Sequence, residues 1–194
     1  MTTIGFTGAI GHGKSTSAKY LEKKRNKKSN KQEYVRYAFA EPLKQIAIAL
    51  KFKYKDVYGS QEEKLRINAN WNISGRVLMQ KLGTEVFRDI LPDVIPDMNI
   101  KNGTIWTNIY KIHVRENPKQ NMVIEDVRFR NEVEAIKEMN GIIIKIVRNK
   151  DTDLCDHISE LGIDDEHCDF IIDNNGTEND LFRKIDSIVE QLNK

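Results

Sequence analysis

The chain has 194 residues, 39% hydrophobic and 31% charged, enough to bury one sizeable core, and a single domain is the expectation. Lys and Arg number 31 against 29 Asp and Glu, and a net charge of +2 excludes the chain-wide field of a dedicated nucleic-acid or membrane binder. The longest apolar run, Ile46 to Leu50, is far below the ~20 residues a spanning helix needs. No secretory leader pattern opens the chain, and Cys155 and Cys168 are too few for a disulfide framework, so a cytoplasmic protein with free thiols is expected.

Thr3 to Thr7 reads as a buried strand, and Lys14 to Lys28 as a helix entered through a Gly-rich turn. Tyr34 to Ala40 is a second strand candidate, followed by a helix opened by Glu41-Pro42. A polar, largely helical middle of about 60–119 reads as an insertion, with Gly75 to Ile90 its strongest helix and Pro92, Pro96 and Pro118 as breakers. Met122-Val123-Ile124 is an apolar strand ending in Glu125-Asp126. The helix after it carries Val133, Ile136, Lys137 and Met139 and stops at Asn140-Gly141, with Gly141 expected as the left-handed cap. Ile142 to Val147 is the strongest strand, Asp169 to Asp173 is another, and a helix from about Asn179 to Leu192 closes the chain. Continuous apolar strands alternating with helices predict an α/β fold whose parallel five-stranded sheet is covered on both faces, a three-layer arrangement.

Gly8-Ala9-Ile10-Gly11-His12-Gly13-Lys14-Ser15 fits GxxxxGK[ST], directly after a strand and opening a helix. In that context the loop amides and the helix N-terminus face the phosphates of ATP. Lys14 reaches the β- and γ-phosphates, and Ser15, with Thr16 behind it, offers a hydroxyl to Mg²⁺. An outward side chain is the plain expectation for His12. A P-loop alone does not separate kinases from GTPases, motors or helicases. No Asn-Lys-x-Asp guanine signature occurs, and the chain is short for a helicase core. Glu41, Arg76, Arg88, Arg128 and Arg148 instead stand beside element ends, as a phosphate-handling acceptor site requires.

Five stretches together resemble the phage-type deoxynucleoside monophosphate kinases, over most of the chain and in the expected order. They are the P-loop, Phe39 to Lys44, Gly75-Arg76 through Gln80 to Arg88, Val123 to Glu132, and Asp156 to Glu160. The resemblance implies a P-loop NTPase fold with a helical acceptor-binding insertion and a short lid at 148–168, ATP as donor with Mg²⁺, a deoxynucleoside 5′-monophosphate as acceptor, and a homodimer. By the same likeness Arg76, Gln80, Gly83, Thr84 and Trp106 would contact the acceptor, with Asp126, Arg128 and Glu132 completing the site. Glu41 stands where family members often have Asp, and Val77 where a second basic residue is common; both bear on selectivity.

Read as residues, Asp126 ends a strand beside the P-loop strand, where a carboxylate can hold the waters of Mg²⁺ or accept from the acceptor; its plain role would be a helix cap. Glu125 is expected to face the other way. Arg128 can set a guanidinium fork at the transferring phosphoryl group, against a surface ion pair with Glu132. Arg76, Gln80, Gly83 and Thr84 form one helical stripe that is poor core. Lys44 and Arg88 are weaker candidates. Arg148 would touch ATP from the start of the lid, and Asn174 to Thr177 is either an adenine-wrapping turn or a helix cap. Cys155, His157, His167 and Cys168 lack zinc-site spacing, and the basic run Lys23 to Lys28 suits a solvated helix end. Phosphomevalonate or dephospho-coenzyme A kinases, and an ATP-dependent nucleic-acid-binding protein, are the competing readings.

Overall fold

A computed structural model describes residues 2–28, 34–98, 100–149 and 163–192. The chain divides into two compact units, one formed by Met1–Ala38 with Tyr110–Lys194 and the other by Phe39–Ile109. The second unit begins earlier and ends earlier than the insertion expected at about 60–119.

The first unit holds β1 (Thr3–Thr7), α1 (Lys14–Lys28), β2 (Tyr34–Tyr37), most of a later helix, and β5 (Asn121–Ile124) onward. The second runs through α2 (Glu41–Ala49), α3 (Tyr54–Tyr58), α4 (Gln61–Leu65), β3 (Ile67–Asn68) and β4 (Ile73–Ser74). It continues through α5 (Gly75–Gln80), a π-helical stretch (Lys81–Ile90) and α6 (Leu91–Val94). Helix α7 (Ile105–Glu116) leads back into the first unit, where α8 (Arg130–Glu138), β6 (Ile142–Val147), β7 (Phe170–Asp173) and α9 (Glu178–Leu192) follow. The short antiparallel hairpin of β3 and β4 was not legible in a segment that reads as helical.

The five strands of the first unit form a parallel sheet in the order β2-β5-β1-β6-β7. Every residue of β1 is buried, as a central strand covered on both faces must be. Alternation sends Ile4 and Phe6, with Ile144 and Ile146 of β6, into a core shared with Ala18 and Leu21 of α1 and Leu181, Ile185 and Val189 of α9. Gly5 faces Ile143 and, on α8, Ile136; the Tyr110 hydroxyl of α7 lies 3.3 Å from Oγ1 of Thr3. Each of these buried Ile or Phe side chains contributes about 2 kcal/mol of transfer free energy.

Two boundaries differ from the sequence reading. Strand β2 stops at Tyr37, because Ala40 already takes helical angles and its carbonyl accepts from the N–H of Lys44 at 3.0 Å. At the end of α8 the left-handed residue is Asn140 (φ 58°), and Gly141 is not the cap. Asn tolerates that conformation because its short polar side chain can satisfy nearby backbone. Gly141 is there for room: a Cβ would stand 2.5 Å from Cγ2 of Ile136 and 3.0 Å from Cβ of Thr3. Gly141→Ala should therefore lower the unfolding free energy by about 1–3 kcal/mol in urea titration, whereas Asn140→Gly should leave it within about 0.5 kcal/mol.

Candidate active site

The loop from Gly8 to Gly13 joins the central strand to α1. Its turns use Gly8 (φ 133°), Gly11 (φ 79°) and Gly13 (φ 107°), angles that side chains make costly. Nζ of Lys14 donates to the carbonyls of Gly8 at 2.7 Å and Ala9 at 2.8 Å, so the ammonium lies across the loop it belongs to. Ser15 is exposed and Thr16 half-buried in the first turn of α1, where N–H groups without intrahelical partners give the helix end its affinity for anions. His12 departs from the expectation of an outward side chain. It is 8% exposed, and its Nδ1 lies 3.1 Å from the carbonyl of Ile146.

Beside this loop, β5 ends at Ile124, in register with Gly5 of β1 and Tyr37 of β2, so Asp126 follows a strand adjacent to the P-loop strand. Asp126 is half-buried. Burial first, then the charges of Asp126 and Tyr110, push the Tyr37 phenol above its usual range. Glu125 is taken by an ion pair with Arg36 of β2. The cap of α8 is Glu132, not Asp126. Glu132 is only 2% exposed, and its Oε2 accepts from the N–H groups of Arg128 at 2.8 Å and Phe129 at 3.1 Å. The surface ion pair weighed for Arg128 and Glu132 is thus replaced by a buried carboxylate on backbone amides, while the Arg128 side chain is exposed. Arg148 is half-buried just past β6. Thr177 and Asp180 cap α9 through reciprocal bonds between side chain and backbone. Most of the expected lid and the stretch Asp156 to Glu160 lie outside the described residues.

In the second unit, the predicted stripe of Arg76, Gln80, Gly83 and Thr84 is not one face. Gln80 and Thr84 are exposed, Arg76 is half-buried and donates to Oε1 of Gln61 at 2.9 Å, and Gly83 is buried. Arg76 and Gln80 share the α-helical turn before Lys81, and the π hydrogen bonding that begins there, with more residues in each turn, turns Gly83 away from Gln80. Gly83 lies against Leu43, and its carbonyl accepts from Nε1 of Trp106 at 3.0 Å. Trp106 is 4% exposed and packs on Phe87, a structural role that its place in the sequence does not reveal. Arg88 donates to the carbonyl of Gly103 at 3.3 Å. Glu41 accepts from the Tyr58 hydroxyl at 2.7 Å, and Nζ of Lys44 stands 5.0 Å over the Tyr58 ring.

Residues 49–185 match the family model described as deoxynucleotide monophosphate kinase. A protein of Acanthamoeba polyphaga mimivirus named as a deoxynucleotide monophosphate kinase is 33% identical over 202 residues, covering 100% of this chain and 99% of its own. The chain belongs to the deoxynucleotide monophosphate kinase family. The deoxynucleotide monophosphate kinase of Escherichia phage RB69 is 28% identical over 144 residues, 71% of this chain and 54% of that protein. In fold, the chain is similar to the APS kinase of Mycobacterium tuberculosis solved with AMPPNP and APS, with a TM-score of 0.51, 10% identity and 97% of each chain covered. This deoxynucleotide monophosphate kinase therefore has the P-loop α/β fold, and family membership decides between the kinase readings and the nucleic-acid-binding one. No helix among its described residues is long and apolar enough to cross a membrane.

Sequence reading missed Arg36 and Tyr37 as neighbours of Glu125 and Asp126, because pairing of strands distant in the chain brings them together, and Tyr58, because it reaches Glu41 through the packing of successive helices. Among the described residues no group of three or more His, Cys, Asp or Glu is gathered. The oxygens of Ser15 and Asp126 fit a hard ion that takes its other ligands from phosphate and water, the habit of Mg²⁺. Glu132→Ala in this kinase would leave two amides of the α8 entry without their acceptor and should cost about 2 kcal/mol. Glu132→Gln, which keeps a carbonyl acceptor, should cost about half as much or less in the same denaturant titration.

Proposed function

We propose that this kinase transfers the terminal phosphoryl group of ATP to the phosphate of a deoxynucleoside 5′-monophosphate by positioning and charge neutralisation, with no covalent enzyme intermediate. An oxygen of the acceptor phosphate forms the new bond to the γ-phosphorus as the bond to the bridging oxygen breaks, and ADP departs. The observation that carries the reading is the glycine-turned loop with Lys14 across it, in a chain that belongs to this family.

The amides of Gly8 to Thr16 hold the ATP phosphates, and Arg148 meets the nucleotide. Lys14 leaves the loop carbonyls for the β- and γ-phosphates, offsetting charge where it develops. Mg²⁺ would be held by Ser15 and Asp126 and would supply Lewis-acid charge neutralisation. Arg128 aims its fork at the transferring group, from a backbone held by Glu132. Acceptor binding falls to Glu41 and Lys44 of α2 and to Arg76, Gln80, Thr84 and Arg88, with Gly83 and Trp106 shaping the helical run that carries the last four. A homodimer belongs to the reading through the family likeness, and light scattering checks it.

Lys14→Ala should lower kcat about a thousandfold or more with the fold intact by circular dichroism. Unchanged turnover would remove the P-loop from the mechanism. Arg128→Lys keeps the charge and loses the fork, so kcat should fall about tenfold to a thousandfold with Tm nearly constant. A residue that is merely solvated would tolerate Lys in both measurements. A panel of ADP-release assays with deoxy- and ribonucleoside monophosphates reads which acceptors are used.

A further inference from the structure

A loop that turns on three left-handed glycines has much conformational freedom to lose, so something must hold it if its amides are to meet a phosphate ready aimed. The Ile146 carbonyl, near the end of β6, lies so close that a Cβ on Gly8 would stand 2.2 Å from its oxygen. The same oxygen lies 3.1 Å from Nδ1 of His12. A carbonyl only accepts, so the imidazole donates and carries its proton on Nδ1. Nε2 is buried with no hydrogen-bond partner, which leaves the bond to Ile146 as the ring's polar engagement. On the other flank Asn174, just past β7, bonds the Val147 carbonyl through its own N–H at 2.7 Å. Its Nδ2 donates to the main-chain oxygen of His12 at 2.8 Å, and a Cβ on Gly13 would stand 2.7 Å from that nitrogen.

We infer that His12 and Asn174 are positioning residues for the nucleotide, clamping the loop to the C-terminal ends of β6 and β7 so that its amides are preorganised for the ATP phosphates. His12 is gripped at both ends, by its ring on β6 and by its carbonyl on the residue that follows β7. The inference rests on the reading of this loop as the ATP site, and it assigns to two side chains an affinity that the motif alone credits to backbone and lysine. Neither side chain need touch ATP: they remove the ordering cost that binding would otherwise carry.

The test exploits the geometry of imidazole. Asn can place an N–H where Nδ1 stands, whereas Gln reaches toward the Nε2 position, so His12→Asn should keep the bond to Ile146 and His12→Gln should lose it. In His12→Gln the Kd and KM for ATP should rise about tenfold, with the KM for the monophosphate and Tm nearly constant, and His12→Asn should recover most of that loss. Asn174→Asp, which sets a carboxylate oxygen against the His12 carbonyl, should raise the ATP KM at least as far, and it carries the test should His12→Gln melt below the assay temperature. The clamp is overturned if Asn and Gln behave alike at position 12, or if both KM values rise together as Tm falls. Lys14→Ala measured alongside separates the two readings. A fall in turnover there, with the ATP KM unchanged in His12→Gln and Asn174→Asp, sinks the clamp alone, and unchanged turnover in Lys14→Ala sinks the ATP loop on which it rests.

Discussion

The P-loop of this kinase depends on one close approach of backbone to backbone, the Ile146 carbonyl of β6 lying where Gly8 has no side chain. That approach requires β1 and β6 to be parallel neighbours in register, Ile4 with Ile142 through Thr7 with Lys145, so that the loop leaving β1 comes down on the end of β6. The register in turn depends on the two apolar faces of the sheet, because slipping one residue would turn Ile4 and Phe6 out of the core shared with α1 and α9. The strand order that puts β6 on one side of β1 puts β5 on the other, and so brings Asp126 to the same sheet edge as the P-loop.

Charge at this edge is managed by pairing it or by setting it on amides. Glu125 is neutralised by Arg36 across two strands. Glu132, almost wholly buried, is tolerated because two backbone N–H groups at the entry to α8 meet one of its oxygens, where the helix dipole also favours a negative charge. These contacts occupy the nearby acids with structural work. They leave the Arg128 side chain exposed while its backbone N–H is bonded to Glu132.

The second unit solves a different problem, how to present polar side chains from a helix that must also pack. Gly83 turns inward against Leu43 and is tied to Trp106, while Gln80 and Thr84 on the same run remain exposed. A regular α-helix with this spacing would gather all of them on one face. The π-helical stretch separates the packing residue from the polar ones, and such departures from regular hydrogen bonding recur at functional sites. Tyr58 orients Glu41 in the same spirit, from a neighbouring helix.

The sequence by itself determined what depends on local pattern. The five strands, the P-loop between β1 and α1, the Pro-opened helix at Glu41 and the family follow from periodicity, glycine spacing and ordered motifs, all of which act over a few residues. Tertiary structure decided what depends on which elements become neighbours. His12 turned inward because the Ile146 carbonyl, 134 residues away, offered it an acceptor. Gly141 was needed against Ile136 and Thr3, so the left-handed angle at the end of α8 fell to Asn140. A residue's type and spacing state which bonds it can make; burial decides which it must make, because an unpaired polar group taken out of water costs more than a strained turn or a bent helix.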